Sequence, residues 1–171
     1  MSKKPPPAIS LVEATAEDKP AVANLIQLYL YDMTGDLPFP VGRDGRFEYS
    51  FLERFWQLPY LIFDNGELAG FALVIEECPV TGASPCFFMA ELFVLKAYRG
   101  RGIGRKIVAD ILQRHPGRWH IAVIERNKSA GAFWAKVLAA ASATTFNQAF
   151  DGESWLVYEF QSPSGQHEKV P

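Results

Sequence analysis

The nine residues Tyr98-Arg99-Gly100-Arg101-Gly102-Ile103-Gly104-Arg105-Lys106 hold the densest chemistry in the chain. Glycine lets the backbone turn sharply and lets a ligand come close to the peptide N–H groups. A helix starting here would offer first-turn N–H donors that have no partner within the helix, and its dipole would favour an anion. Arg99, Arg101, Arg105 and Lys106 add positive charge. The combination suits a pyrophosphate. The plainer alternative is a glycine-rich turn with a solvated basic face, because short glycine motifs often match by chance. Two better-known phosphate motifs are excluded. In GxGxxG spacing, Arg105 stands where the third glycine belongs, and a P-loop beginning at Gly100 would also need glycine at position 105.

The elements that must position this loop can be read from the hydrophobic pattern. Phe87–Leu95 reads as a long strand, apolar except for Glu91. Ile103, Ile107, Val108, Ile111 and Leu112 share one face of a helix over 102–115, which Pro116-Gly117 stops. Trp119–Ile124 reads as a buried strand, and Asn127 can cap a helix running to about Ala140. Before the loop, Ile9–Glu13 reads as a strand. Thr15 and Asp18 open a helix through Val22, Leu25, Ile26, Tyr29 and Leu30. Phe47, Phe51, Leu52, Phe55 and Trp56 suggest a second helix over 47–57. Asp64-Asn65-Gly66 joins two strands in a hairpin, and Asp151-Gly152 joins another over 143–150 and 154–160. The predicted order is β-α-α-β-β-β-α-β-α-β-β, with helices on both sides of a mixed sheet.

A chain of 171 residues suits one domain. That domain is placed at 8–161, with tails at 1–7 and 162–171. Seventeen Lys+Arg against nineteen Asp+Glu give a net charge of -2, which argues against nucleic-acid binding driven by overall charge. No apolar run is long enough to span a membrane, and no signal core follows the basic N-terminus, so a cytoplasmic protein is expected. Cys78, Cys86 and the scattered histidines His115, His120 and His167 form no metal-ligand pattern. No metal is expected, and the two cysteines are read as free thiols.

Arg99-x-x-Gly102-x-Gly104, directly after the acid-containing strand Glu91-Leu92-Phe93-Val94, resembles the acetyl-CoA-binding motif of the GCN5-related N-acetyltransferase (GNAT) family. Asn127-x-x-Ala130, followed by Phe133-Trp134 and Lys136, resembles that family's second motif. The likeness runs from Ile9 to Phe160. It implies an α/β (α+β) fold. The sheet would be mixed, mostly antiparallel and six- or seven-stranded, flanked by about four helices, with the cofactor in a V-shaped gap between two central strands.

The resemblance also implies roles. Acetyl-CoA would be the co-substrate and an amine the acceptor. The backbone of Phe93, Val94 and Leu95 would hold the acetyl and pantetheine groups. Arg99, Gly100, Arg101, Gly102, Ile103, Gly104 and Arg105 would hold the pyrophosphate. Asn127 would bond the pantetheine arm or serve only as a helix cap. An N–H of Val94 or Leu95 would hold the oxyanion. Glu91 is the candidate general base, acting directly or through a water; the alternative is a structural carboxylate. Many family members carry a tyrosine seven residues after the asparagine, where its hydroxyl protonates the departing thiolate. Here Trp134 stands at that position and cannot usefully give up its proton. Solvent, Tyr158 or Ser129 is left as the acid, and Trp134 is read as packing on the cofactor or in the core.

The first two helices and their loop usually shape the acceptor pocket in this fold. Here they carry Tyr29, Tyr31, Phe39, Phe47, Tyr49, Phe55 and Trp56, with Asp32, Asp36, Asp44 and Glu48. The aromatics either suit an apolar or cationic amine or are plain core. The leading expectation is acetyl transfer to a primary amine of a small molecule. The alternatives are an acyl-CoA sensor without catalysis, acetylation of a protein amine, and, weakest, a nucleic-acid or phosphoprotein module. Homodimerisation through the late strands is left open.

Overall fold

The computed structural model describes residues 8–163. The expected tail at 1–7, the residues after 163 and His167 lie outside the described residues. Seven strands and four α-helices follow in order: β1 (Ile9–Glu13), α1 (Lys19–Met33), α2 (Leu52–Phe55), β2 (Leu58–Asp64), β3 (Glu67–Ile75), β4 (Phe87–Val94), α3 (Ile103–Arg114), β5 (Gly117–Ile124), α4 (Lys128–Val137), β6 (Thr144–Phe150) and β7 (Glu153–Ser162). The hydrogen-bonded order is β1-β2-β3-β4-β5-β7-β6. β1–β2, β2–β3, β5–β7 and β6–β7 pair antiparallel, while β4–β5 pair parallel. The expected mixed, mostly antiparallel sheet with four helices is present. By compactness the described residues form two units, 8–75 with 89–107 and 76–88 with 108–163.

In the first unit, α1 presents Val22, Leu25, Ile26 and Leu30 as one buried stripe at helical spacing. The stripe meets a core in which Ile62, Phe71, Leu73, Val74 and Ile75 are fully buried. Asp18 accepts from the Thr15 N–H at 2.8 Å, which fixes the chain's entry into the turn before α1. The β2–β3 hairpin turns through Asn65 at φ 51° and Gly66 at φ 84°, the left-handed pair its tight turn requires. A bulge between Ile62 and Phe63 shifts the register there.

The expected second helix shrinks to the single turn of α2. Both backbone groups of Phe47 are held by Gln27, whose Oε1 accepts the Phe47 N–H at 2.8 Å and whose Nε2 donates to the Phe47 carbonyl at 3.1 Å. Phe47 also bridges to Val41. With its N–H and carbonyl spent on a side chain of α1, Phe47 cannot open a helix.

In the second unit, β5 pairs with β7 from Gly117↔Ser162 to Ile124↔Trp155, and its parallel ladder with β4 holds for two pairs only, Phe87↔Trp119 and Phe88↔His120. β7 runs one residue past the expected domain end. Ser162 is buried, and its hydroxyl donates to the Leu112 carbonyl at 2.7 Å, which anchors this strand end where a tail was expected. The last helix stops at Val137 rather than near Ala140; a turn follows, and Ser142 takes φ 51°. Cys78 and Cys86 are free and buried.

Candidate active site

Glu91 sits on β4 in the first unit. Tyr49, from the loop before α2, donates its hydroxyl to Glu91 Oε1 at 2.9 Å. The phenol of Tyr29, from α1, also favours the charged form of this carboxylate. Burial pushes the Glu91 pKa up to about 7, against the pull of the two phenols. Burial, and then the nearby Glu91 charge, raise both tyrosines, so each stays a neutral donor at physiological pH. The Tyr29 ring is fixed by an edge contact with Phe71 at 6.1 Å and a tilted contact with Phe93 at 5.5 Å. A carboxyl group with a pKa near 7, held by the neutral Tyr49 hydroxyl, can take a proton from a nucleophile at that pH.

Two to four residues further on, the backbone of Phe93, Val94 and Leu95 is fixed from both sides. The Leu95 N–H donates to the Ala69 carbonyl of β3 at 2.8 Å, and the Val94 carbonyl accepts from Arg99 Nε at 2.8 Å. Consecutive peptide groups of a strand face opposite edges. With Leu95 turned to β3, the Val94 N–H points to the other edge of β4. Gly70 of β3 is packed against this stretch. A Cβ there would run into the Phe93 carbonyl and lie 3.1 Å from Val94 Cα.

The glycine loop follows. Gly100 at φ 76° and Gly102 at φ 75° adopt the left-handed conformation that other residues rarely take, and a Cβ at either would meet nothing within 4 Å. The first helical acceptor bond runs from the Lys106 N–H to the Gly102 carbonyl at 3.1 Å. The N–H groups of Ile103, Gly104 and Arg105 precede it and have no partner along the helix. That open, donor-rich turn fits the pyrophosphate of CoA.

The arginines of the loop have partners within the protein. Arg99 Nη2 pairs with Asp32 at 2.6 Å and Arg101 Nη1 with the buried Asp64 at 2.9 Å. Lys96 reaches the other Asp32 oxygen at 3.3 Å. Burial opposes the charged form of Asp32, but the bonds from Arg99 and Lys96 outweigh it and hold its pKa below the usual value. Tyr98 donates to Glu67 at 2.9 Å. These contacts tie the loop to α1 and to the β2–β3 turn, so Arg99 and Arg101 brace the loop. Arg105 stays exposed at the first helical turn.

The remaining predicted residues belong to the second unit. Asn127 caps α4, its Oδ1 accepting from the Ala130 N–H at 3.1 Å. Trp134 is buried and meets Phe133 edge-on at 5.0 Å. Tyr158 is buried on β7, and Ser129 is exposed on α4. Among the described residues, no cluster of three or more His, Cys, Asp or Glu could hold a metal ion, and no helix is long and apolar enough to cross a membrane.

The chain matches the acetyltransferase (GNAT) family over residues 21–139. It belongs to that family. Its fold is shared with solved structures of low sequence identity. An acetyltransferase from Thermus thermophilus is 17% identical with a TM-score of 0.60, covering 90% of this chain and 97% of that one. The yncA protein of Salmonella typhimurium, solved with its cofactor acetyl-CoA, is 14% identical with a TM-score of 0.62, covering 96% and 98%. A Salmonella typhimurium acetyltransferase that modifies the N-terminal serine of a 50S ribosomal subunit protein is 16% identical with a TM-score of 0.61, covering 90% and 95%. No match was found among curated proteins. As a GNAT protein the chain is an acyltransferase, and acetyl-CoA is the family's co-substrate.

The sequence motifs lead to Glu91, the β4 backbone and the loop. They do not lead to the phenols that hold Glu91 or to Asp32, Asp64 and Gly70. Tyr29, Tyr49 and Asp32 stood out only as part of the acceptor region. A side-chain bond across 42 residues, such as Tyr49–Glu91, leaves no local signature.

Proposed function

We propose that the protein transfers the acetyl group of acetyl-CoA to a primary amine of a small molecule, by direct attack of the amine on the thioester. The observation that carries this reading is the Glu91 carboxyl, hydrogen-bonded by Tyr49 on the strand that carries Val94 and raised to about 7. Glu91 takes the ammonium proton, directly or through a water, and frees the attacking lone pair. The Val94 N–H, unspent on β3, is aimed at the oxygen that becomes the oxyanion. The free N–H groups of the loop and first turn of α3, with Arg105, receive the pyrophosphate.

A thiol leaving group with a pKa around 8.5 can take its proton from solvent, so Trp134 is not needed as an acid. Asn127 and Trp134 are assigned to the cofactor by family resemblance alone. Residues 8–161 are read as one acetyltransferase domain, and its compartment as cytoplasmic, in keeping with two free thiols. Homodimerisation stays an open proposal.

Calorimetry with CoA tests the loop. Gly102→Asp places a side chain and a negative charge against the pyrophosphate and should abolish binding. Unchanged affinity in the folded variant would remove the loop from the site. Release of CoA thiol, followed with a panel of primary amines, tests the transfer itself.

A further inference from the structure

Residues 48–51, which carry Tyr49, form no helix or strand. A phenol on such a segment points where its neighbours fix it, and two anchors flank it. On one side the Phe51 ring stacks on the buried Phe55 ring at 5.4 Å and 15°. On the other side Gln27 of α1 holds Phe47, accepting its N–H at 2.8 Å and donating to its carbonyl at 3.1 Å. A glutamine amide offers both an acceptor and donors, so one side chain satisfies both backbone groups of one residue and fixes the direction of the chain leaving it. The bridge from Phe47 to Val41 ties the segment to its own loop; Gln27 ties it to a helix. Two residues beyond Phe47, the Tyr49 hydroxyl donates to Glu91 Oε1 at 2.9 Å.

We propose that Gln27 is a positioning residue for the transfer reaction: by holding Phe47 it keeps the Tyr49 hydroxyl on the Glu91 carboxylate. The inference rests on the reading of Glu91 as the base. Two residues of chain span at most about 7 Å, so little slack absorbs a shift of Phe47 before it reaches Tyr49. An O–H···O bond holds over a narrow range, about 2.5–3.0 Å, so a displacement on the order of an ångström breaks it. The titratable groups that face Glu91 are Tyr49 and Tyr29, and both favour its charged form. Tyr29 has its own support, because it sits on α1 with its ring against Phe71 and Phe93. Helix α1 therefore carries one phenol directly and holds the other through Gln27.

The test reads Glu91 itself, by carbon NMR titration of the full chain with labelled glutamate carboxyls. The resonance absent from Glu91→Gln assigns it. Gln27→Met keeps the length of the side chain and removes both hydrogen bonds. It should raise the Glu91 midpoint by about half a pH unit or more, because the charged form loses a donor. Gln27→Ala, which suits a helix and removes the same bonds, should give the same rise. Tyr49→Phe should raise the midpoint as well, and Gln27→Met added to it should raise it no further, since both changes remove one interaction. In thiol-release assays the acid limb of kcat should move with the midpoint, and KM for acetyl-CoA should stay within about twofold. A midpoint unmoved in both folded Gln27 variants, or one that Gln27→Met still raises in the Tyr49→Phe background, would overturn the positioning role. A midpoint that moves through Tyr49 while the rates do not follow would uphold that role and overturn Glu91 as the base.

Discussion

The Leu95 N–H donates to the Ala69 carbonyl at 2.8 Å, so of the two peptide groups expected to hold the oxyanion only that of Val94 is left unspent by β3. A structure with acetyl-CoA bound should therefore place the thioester oxygen about 3 Å from the Val94 nitrogen. An oxygen on Leu95 instead, with the bond to Ala69 broken, would mean that β4 rearranges when the cofactor arrives.

Glu91→Gln should lower kcat/KM by on the order of 10²–10⁴, the usual scale of general-base catalysis. The wild-type rate should fall on the acid side with an apparent pKa near 7, and the variant should lose that limb. A variant with wild-type rates at neutral pH would make Glu91 structural.

The same shift has a consequence for stability. A carboxyl raised from 4.5 to about 7 on folding binds more protons folded than unfolded across that interval, so it costs stability as pH rises through it. The cost reaches at most about 3 kcal/mol above pH 7. Thermal melts should show Glu91→Gln more stable than the wild type at pH 8, with the gap largely closed at pH 5. Equal melting temperatures at pH 8 would show that the ionised carboxylate is well accommodated where it sits.

Gly70→Ala tests the contact between β3 and β4. The added methyl drives into the Phe93 carbonyl, and the backbone of Phe93 and Val94 must shift. Overpacking of this kind costs about 1–3 kcal/mol. A lower melting temperature and a reduced kcat are expected together, because the displaced strand carries the Val94 N–H. An unchanged melting temperature would show that the strands part easily.

Trp134→Tyr restores the hydroxyl that many GNAT proteins carry at this position. With solvent protonating the thiolate, kcat should stay within about twofold and gain no basic limb belonging to a tyrosine; a clear rise would show that protonation limits turnover. Trp134→Ala, which empties a buried site, should cost about 3–5 kcal/mol in a denaturation experiment.

Particular residues show where the sequence was readable. The turns at Asn65-Gly66 and Asp151-Gly152 were legible because a tight hairpin needs positive φ, and few residues accept it. The loop and its helix were legible because glycines, charges and apolar spacing all pointed to one place. The 47–57 region was not. Its aromatic spacing looks helical, yet Phe51 is about half exposed, Tyr49 turns its hydroxyl to Glu91, and Gln27 holds Phe47 extended from 20 residues away. The arginine pairs were illegible for the same reason. Asp32 and Asp64 reach Arg99 and Arg101 only through tertiary structure. Local chemistry shows that a basic loop exists; folding decides what its charges already hold.

Those two pairs bear on how fast a ligand arrives. Arg101 is compensated by Asp64 in direct contact, but Asp32 alone faces both Arg99 and Lys96, so these contacts leave one positive charge unmatched beside the exposed Arg105. Long-range steering accelerates encounter and makes it strongly dependent on salt. The loop therefore attracts from further away than its peptide dipoles reach, and CoA should associate faster at low ionic strength than at high.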